Sequence, residues 1–143
     1  MLIGEYTYTV DQKKRVAIPS KFRGSLDGSA VVTRGLDESL VVYPLKEWEK
    51  ISEKLENLPS SKINARGYSR MMFSGAVDVA LDKLGRILIP DFLKNYAGLK
   101  KNVVIIGLSN KMEIWDEDKW NKYKRETEKE GGNIVGGLED LGI

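Results

Sequence analysis

Cysteine and histidine are both absent from this 143-residue chain. Without cysteine there can be no disulfide. Without either residue, Cys/His zinc sites and the Ser-His-Asp and Cys-His nucleophilic arrangements are excluded. Acid–base chemistry would have to come from carboxylates, Lys and Tyr, and no set of these shows nucleophile–base spacing. No enzyme activity, metal or cofactor is expected. A strong excess of one charge is missing too: 23 Lys and Arg face 21 Asp and Glu, for a net charge of +2. Binding to an anionic partner would need a local basic patch, because the field depends on distribution as well as total. No apolar run approaches the ~18–20 residues that span a bilayer. Met1–Glu5 also lacks the basic start and apolar stretch of a secretion signal. The expectation is a soluble cytoplasmic protein, which the absence of cysteine fits.

What is present is an internal repeat. Asp11-Gln12-Lys13-Lys14-Arg15-Val16-Ala17-Ile18-Pro19 aligns with Asp82-Lys83-Leu84-Gly85-Arg86-Ile87-Leu88-Ile89-Pro90 at an offset of 71. The likeness continues at an offset of 72: Val31-Val32 with Val103-Val104, Gly35-Leu36 with Gly107-Leu108, Leu40 with Met112, Tyr43 with Trp115, Trp48 with Trp120. Two repeats are therefore expected over 5–48 and 76–120, with a helical connector over 49–75 and a helix and mobile Gly-rich tail over 121–143. Each repeat is too small to bury an adequate core alone, so the two should share one.

Periodicity gives the elements of each repeat. Tyr6, Tyr8 and Val10 alternate with Thr7 and Thr9, as do Val77, Val79 and Leu81 with their neighbours, which reads as half-buried strands. The D-x-x-x-R segment should reverse the chain into a return strand, Val16–Ile18 or Ile87–Ile89. Gly85 suits a turn position with positive φ; Lys14 stands there in the first copy, so the first turn should differ. Pro19 and Pro90 end the return strands and tolerate a helix start. Short helices follow near 20–26 and 91–97, the second stopped by Gly98. Ala30–Thr33 and Val103–Ile106 are buried strands, paired with Leu40–Tyr43 and Met112–Trp115. Trp48, Ile51, Leu55 and Leu58 form an apolar stripe at helical spacing.

The strand–D-x-x-x-R–strand–Pro–helix unit, clearest in Leu81-Asp82-Lys83-Leu84-Gly85-Arg86-Ile87-Leu88-Ile89-Pro90, resembles the swapped-hairpin domain of AbrB-type regulators and MazE-type antitoxins. Two tandem copies, the opening Gly4-Glu5-Tyr6 and the lead-in Arg70–Ala76 resemble the MraZ family over residues 1 to about 130. This resemblance implies an α+β, mainly β fold: a pseudo-two-fold double swapped-hairpin β-barrel with short helices after each half. It also implies a ring-like homo-oligomer in the cytoplasm, associated with the nucleoid. The implied function is sequence-specific, double-stranded-DNA-binding transcription regulation. The implied target is short direct repeats in the promoter of the cell-division and cell-wall gene cluster.

A β-ribbon fits a major groove ~12 Å wide, and Arg can donate two hydrogen bonds to guanine, worth about 1–3 kcal/mol of discrimination. Arg15 and Arg86 are the candidates for base reading. Lys13, Lys14 and Lys83 suit phosphate contacts, which orient without reading sequence. Asp11 and Asp82 are expected to hold the Arg and the turn, since phosphates repel carboxylates. A plain surface ion pair, worth about 0–1 kcal/mol, is the alternative for each Asp–Arg couple. Arg66 and Arg70 share a helix face and suit a subunit contact or core ion pair better than DNA. Trp48, Trp115 and Trp120 suit core packing better than base stacking, and Met71-Met72-Phe73 should also be core. A second reading is an antitoxin-like interaction module, with Ile134, Leu138 and Leu141 of the tail gripping a protein.

Overall fold

The computed structural model describes residues 1–143. The strands are β1 (Leu2–Thr9), β2 (Arg15–Ala17), β3 (Ser29–Arg34), β4 (Leu40–Pro44), β5 (Val77–Ala80), β6 (Arg86–Leu88), β7 (Asn102–Ser109) and β8 (Met112–Asp116). The helices are α1 (Ser20–Leu26), α2 (Leu45–Glu56), α3 (Ile63–Gly75), α4 (Asp91–Ala97), α5 (Glu117–Lys129) and α6 (Gly131–Gly136), followed by a 3-10 turn at Glu139–Leu141. No helix is long and apolar enough to cross a membrane.

The short helices begin where proline has already set φ: Pro19 (φ −49°) caps α1 and Pro90 (φ −60°) caps α4. Each ends on a left-handed residue, Asp27 after α1 and Gly98 after α4. A six-stranded antiparallel sheet runs in the order β1-β7-β8-β4-β3-β5, and β2 and β6 form a separate two-stranded ribbon. The repeats are interleaved. β1 of the first pairs with β7 of the second, β5 of the second with β3 of the first, and β2 with β6. A pseudo-two-fold axis thus passes between β4 and β8 and between the ribbon strands.

Nineteen buried residues form the main core between one face of the sheet and the ribbon with α1 and α4. The ribbon contributes Val16 and Ile87, the strand extensions Ile18 and Ile89, the helices Phe22 and Leu93, and the sheet Val32, Val42, Ile105 and Ile114, all at most 1% exposed. Complete burial of such a side chain is worth about 1.5–3 kcal/mol. The other sheet face carries two smaller clusters. Val41 and Tyr43 of β4 pack with Leu55 of α2 and Met72 of α3; Val104, Ile106 and Trp115 pack with Trp120 of α5.

Several expectations from the sequence are corrected. The main sheet is open and not a closed barrel, because β1 and β5 remain at its edges. Helices hold more residues than strands, so the fold is mixed α+β and not mainly β. The D-x-x-x-R segments do turn the chain, closed by Asp11 N–H to Arg15 C=O and Asp82 N–H to Arg86 C=O, but the ladder partner of β2 is β6 and that of β1 is β7. The first turn does not differ from the second: Lys14 takes φ +64° where Gly85 takes +74°. Finally, Val32 pairs with Val42 and Ile105 with Ile114, which makes the offset between β3 and β7 73, not 72. The turn at 35–39 has one residue more than that at 108–111. A one-residue slip flips a strand's faces, so the 72-residue alignment would match core Val32 with outward Val104.

Candidate nucleic-acid interface

The two D-x-x-x-R loops have the same wiring. Asp11 Oδ1 accepts the backbone N–H groups of Lys13 and Arg15, both at 2.9 Å. Asp82 Oδ1 accepts those of Leu84 and Arg86, also at 2.9 Å. In each loop Oδ2 accepts the arginine Nε–H at 2.8 Å. This is the Asx turn that short carboxylates make with backbone two residues ahead. The Arg15 N–H foremost, and then its guanidinium, hold the Asp11 carboxyl below its ordinary value; Arg86 does the same for Asp82. Both carboxylates are thus firmly ionised near neutrality.

Each arginine is tethered through Nε, which leaves its two terminal nitrogens directed away from the tether. Opposed residues in a ladder share a face. Arg15 stands opposite Leu88, and Arg86 opposite Ala17. These four side chains form the outer face of the ribbon, while Val16 and Ile87 point into the core. Two further bonds lock the loops side by side: Ile18 N–H to Gly85 C=O and Ile89 N–H to Lys14 C=O, both 2.9 Å. Asp11 Oδ2 lies 2.8 Å from Arg15 Nε and 3.7 Å from Arg86 Nη1. One carboxylate therefore touches both guanidinium groups.

The remaining candidates separate. Lys13 and Lys83 are exposed and pair with no carboxylate, whereas Lys14 Nζ lies 2.7 Å from Asp91 at the start of α4. Segments 11–15 and 82–86 together carry five cations and two carboxylates, a net +3 in a chain of net +2. Arg66 bonds the Ser60 carbonyl and makes no ion pair; with Arg70 it lines a groove between α2 and α3. Trp115 is buried against Trp120 and Tyr123, and Trp48 packs on Tyr43 and Phe73. Met72 is core, while Phe73 is 39% exposed. Sequence reasoning missed a second polar cluster, where Tyr43 and Glu113 line a cavity of about 180 Å³. Burial pushes the Tyr43 phenol up to about 12 and raises the Glu113 carboxyl. The outward position of Glu113 could be found only once β8 was in register.

Fold and site together define a class: a tandem repeat that interleaves its halves and presents two Asp-tethered arginines on one ribbon. The family model described as "MraZ protein, putative antitoxin-like" matches residues 1–71 and 72–133. Curated relatives named Transcriptional regulator MraZ match end to end over 143 residues, covering all of both chains. That of Natranaerobius thermophilus is 46% identical, and those of Halothermothrix orenii and Pediococcus pentosaceus are each 48% identical. The chain belongs to the MraZ family.

Proposed function

We propose that this protein is a sequence-specific DNA-binding transcription regulator whose reading head is the β2–β6 ribbon with its two loops. The observation that carries this is the shared carboxylate: Asp11 Oδ2 contacts both Arg15 and Arg86. The two guanidinium groups are then no more than about two base-pair steps of ~3.4 Å apart. Both loops of one chain enter a single major groove and read neighbouring guanines, so each chain occupies one operator repeat. Lys13 and Lys83 contact the flanking phosphates; Lys14, held by Asp91, serves the loop more than the DNA. The name shared by the relatives supports the regulatory role. The finer reading is cytoplasmic, nucleoid-associated control of the cell-division and cell-wall cluster through direct repeats. In that reading a ring-like homo-oligomer sets several heads on successive repeats. Each further contact then gains from effective concentration.

Selection of bound duplexes from a random pool tests this, with wild type beside Arg15→Ala and Arg86→Ala. Each variant should lose repeat-specific binding while its oligomer stays intact. Unchanged affinity in both would overturn the assignment. The exposed Ile134, Val135 and Leu141 favour a second, antitoxin-like reading, in which the tail grips a protein. A stoichiometric protein partner in a pull-down, with no retention on DNA, would select it.

A further inference from the structure

Arg23 of α1 comes from the first repeat but lies against the loop of the second. Its Nε–H donates to the Ile18 carbonyl at 2.9 Å. The N–H of Ile18 in turn donates to Gly85 C=O. The Arg23 guanidinium fills the space over Gly85 so fully that a Cβ at that position would overlap its Nε and Cζ. Gly85 thus serves twice: it takes the positive φ without strain, and its missing side chain leaves the slot that the guanidinium fills. At the pseudo-equivalent Lys14 the side chain instead reaches out to Asp91, and position 94 opposite it holds Lys rather than Arg.

Charge separates Arg23 from its neighbours. Asp11 balances Arg15, Asp82 balances Arg86 and Asp91 balances Lys14. No carboxylate is within 4 Å of Arg23, Lys13 or Lys83. Of these three, only Arg23 is anchored: its Nε is bound and its stem is partly buried. An anchored planar guanidinium loses less freedom on meeting a phosphate than a free lysine does. Arg–phosphate bonds are also charge-assisted.

We infer that Arg23 is a third DNA-contacting arginine of this head: it clamps the Arg86 loop through Gly85 and offers its terminal nitrogens to a backbone phosphate on that side. The inference rests on the DNA-binding reading above. Because the first loop has Lys94 and not an anchored arginine at the matching place, the pseudo-two-fold head acquires a direction along the duplex.

The probe is a duplex that the wild-type protein selects from a random pool, titrated over a range of NaCl concentrations. Arg23→Gln should lower the slope of log K against log[salt] by about 0.9 for each chain engaged. Arg23→Lys, which keeps the charge, should retain most of the slope. Gly85→Asn tolerates the left-handed backbone but closes the slot. It should reproduce the loss of slope, and the double variant Arg23→Gln/Gly85→Asn should lose no more. Hydroxyl-radical footprints of Arg23→Gln should lose protection on one flank only. A slope equal to wild type in Arg23→Gln, with the fold intact by thermal melting, overturns the inference even if affinity falls, since positioning alone releases no counterion. Should Arg23→Gln fail to fold, Gly85→Asn carries the test, and a wild-type slope there overturns the inference equally. If Arg15→Ala and Arg86→Ala bind like wild type, the DNA-binding reading itself has failed; if they lose binding while Arg23→Gln does not, only this inference has.

Discussion

Asp11 and Asp82 organise their loops through acceptor geometry as well as charge. Each takes two backbone N–H groups on one oxygen and a guanidinium on the other. Their pKa values are lowered in the folded protein, so the contribution they make is complete above the ordinary carboxylate value of 3.8. It is lost as pH falls through the lowered values. Amide signals of residues 13–15 and 84–86 should hold their positions from pH 7 to pH 5 and move only in stronger acid; movement between pH 7 and pH 5 would contradict the wiring. Asp82→Asn keeps an acceptor for the backbone but gives up the charged tether. It should leave the melting temperature near wild type while loosening Arg86 and reducing DNA affinity. Glu113 has the opposite sign. Burial raises its pKa, so ionisation costs stability as pH rises through the ordinary value of 4.5 to the raised one. Glu113→Gln, which can still accept from Trp115 Nε1–H, should melt at a higher temperature than wild type at pH 7 and about equally with it in acid.

β1, β2, β5 and β6 are held by ladders that come from the opposite repeat. β1 has its only ladder with β7, and Gly107 of β7 sits opposite Gly4 in that ladder. A Cβ at Gly107 would stand 2.5 Å from the backbone N of Ile3 and from Leu2 C. Backbone cannot swing aside as a side chain does. Gly107→Ala should therefore lift the start of β1 and remove Leu2, 2% exposed, from the core. A loss of about 2–4 kcal/mol in urea unfolding is expected, on the scale of a large core truncation. α5 is tied back to the same strand, since Glu5 accepts from Trp120 Nε1 at 2.9 Å and from Lys124 Nζ at 2.5 Å. Residue 34, the structural counterpart of Gly107, is an arginine whose guanidinium lies over the Phe92 and Tyr96 rings and bonds Met71 C=O. The repeats are thus alike in path and different in what crosses each strand.

At the scale of the whole molecule, interleaving makes the two repeats one cooperative unit. A fragment ending at residue 75 would carry β1 without β7, β2 without β6 and β3 without β5. Its ribbon strand would expose Val16 and Ile18, both fully buried in the intact chain. Fragments 1–75 and 76–143 should each be unfolded alone by circular dichroism and should recover the native spectrum when mixed. A native-like spectrum from either fragment alone would refute the shared core. The same interleaving brings the two loops, 71 residues apart in the chain, to a common carboxylate. One unit thus presents one head.

The sequence by itself determined the repeat, the loop motif, the helix starts at Pro19 and Pro90 and the alternation of β1, because these are local patterns of period and backbone preference. It also carried the family, since the spacing of Asp, Arg and Pro is written in the chain. Pairing was decided only by tertiary structure. A strand's period says which residues share a face, not which strand supplies its hydrogen bonds, so only the folded chain shows that the partner of β2 is β6. The 73-residue register of β3 and β7 was hidden for a related reason: Val31-Val32 and Val103-Val104 are equally apolar, and only the partner strands say which valine faces the core. Gly85 is legible as a turn residue, whereas nothing in the local pattern singles out Arg23. That the glycine makes room for the arginine follows from packing α1 of one repeat against the loop of the other, a contact between residues 62 positions apart that no local pattern encodes.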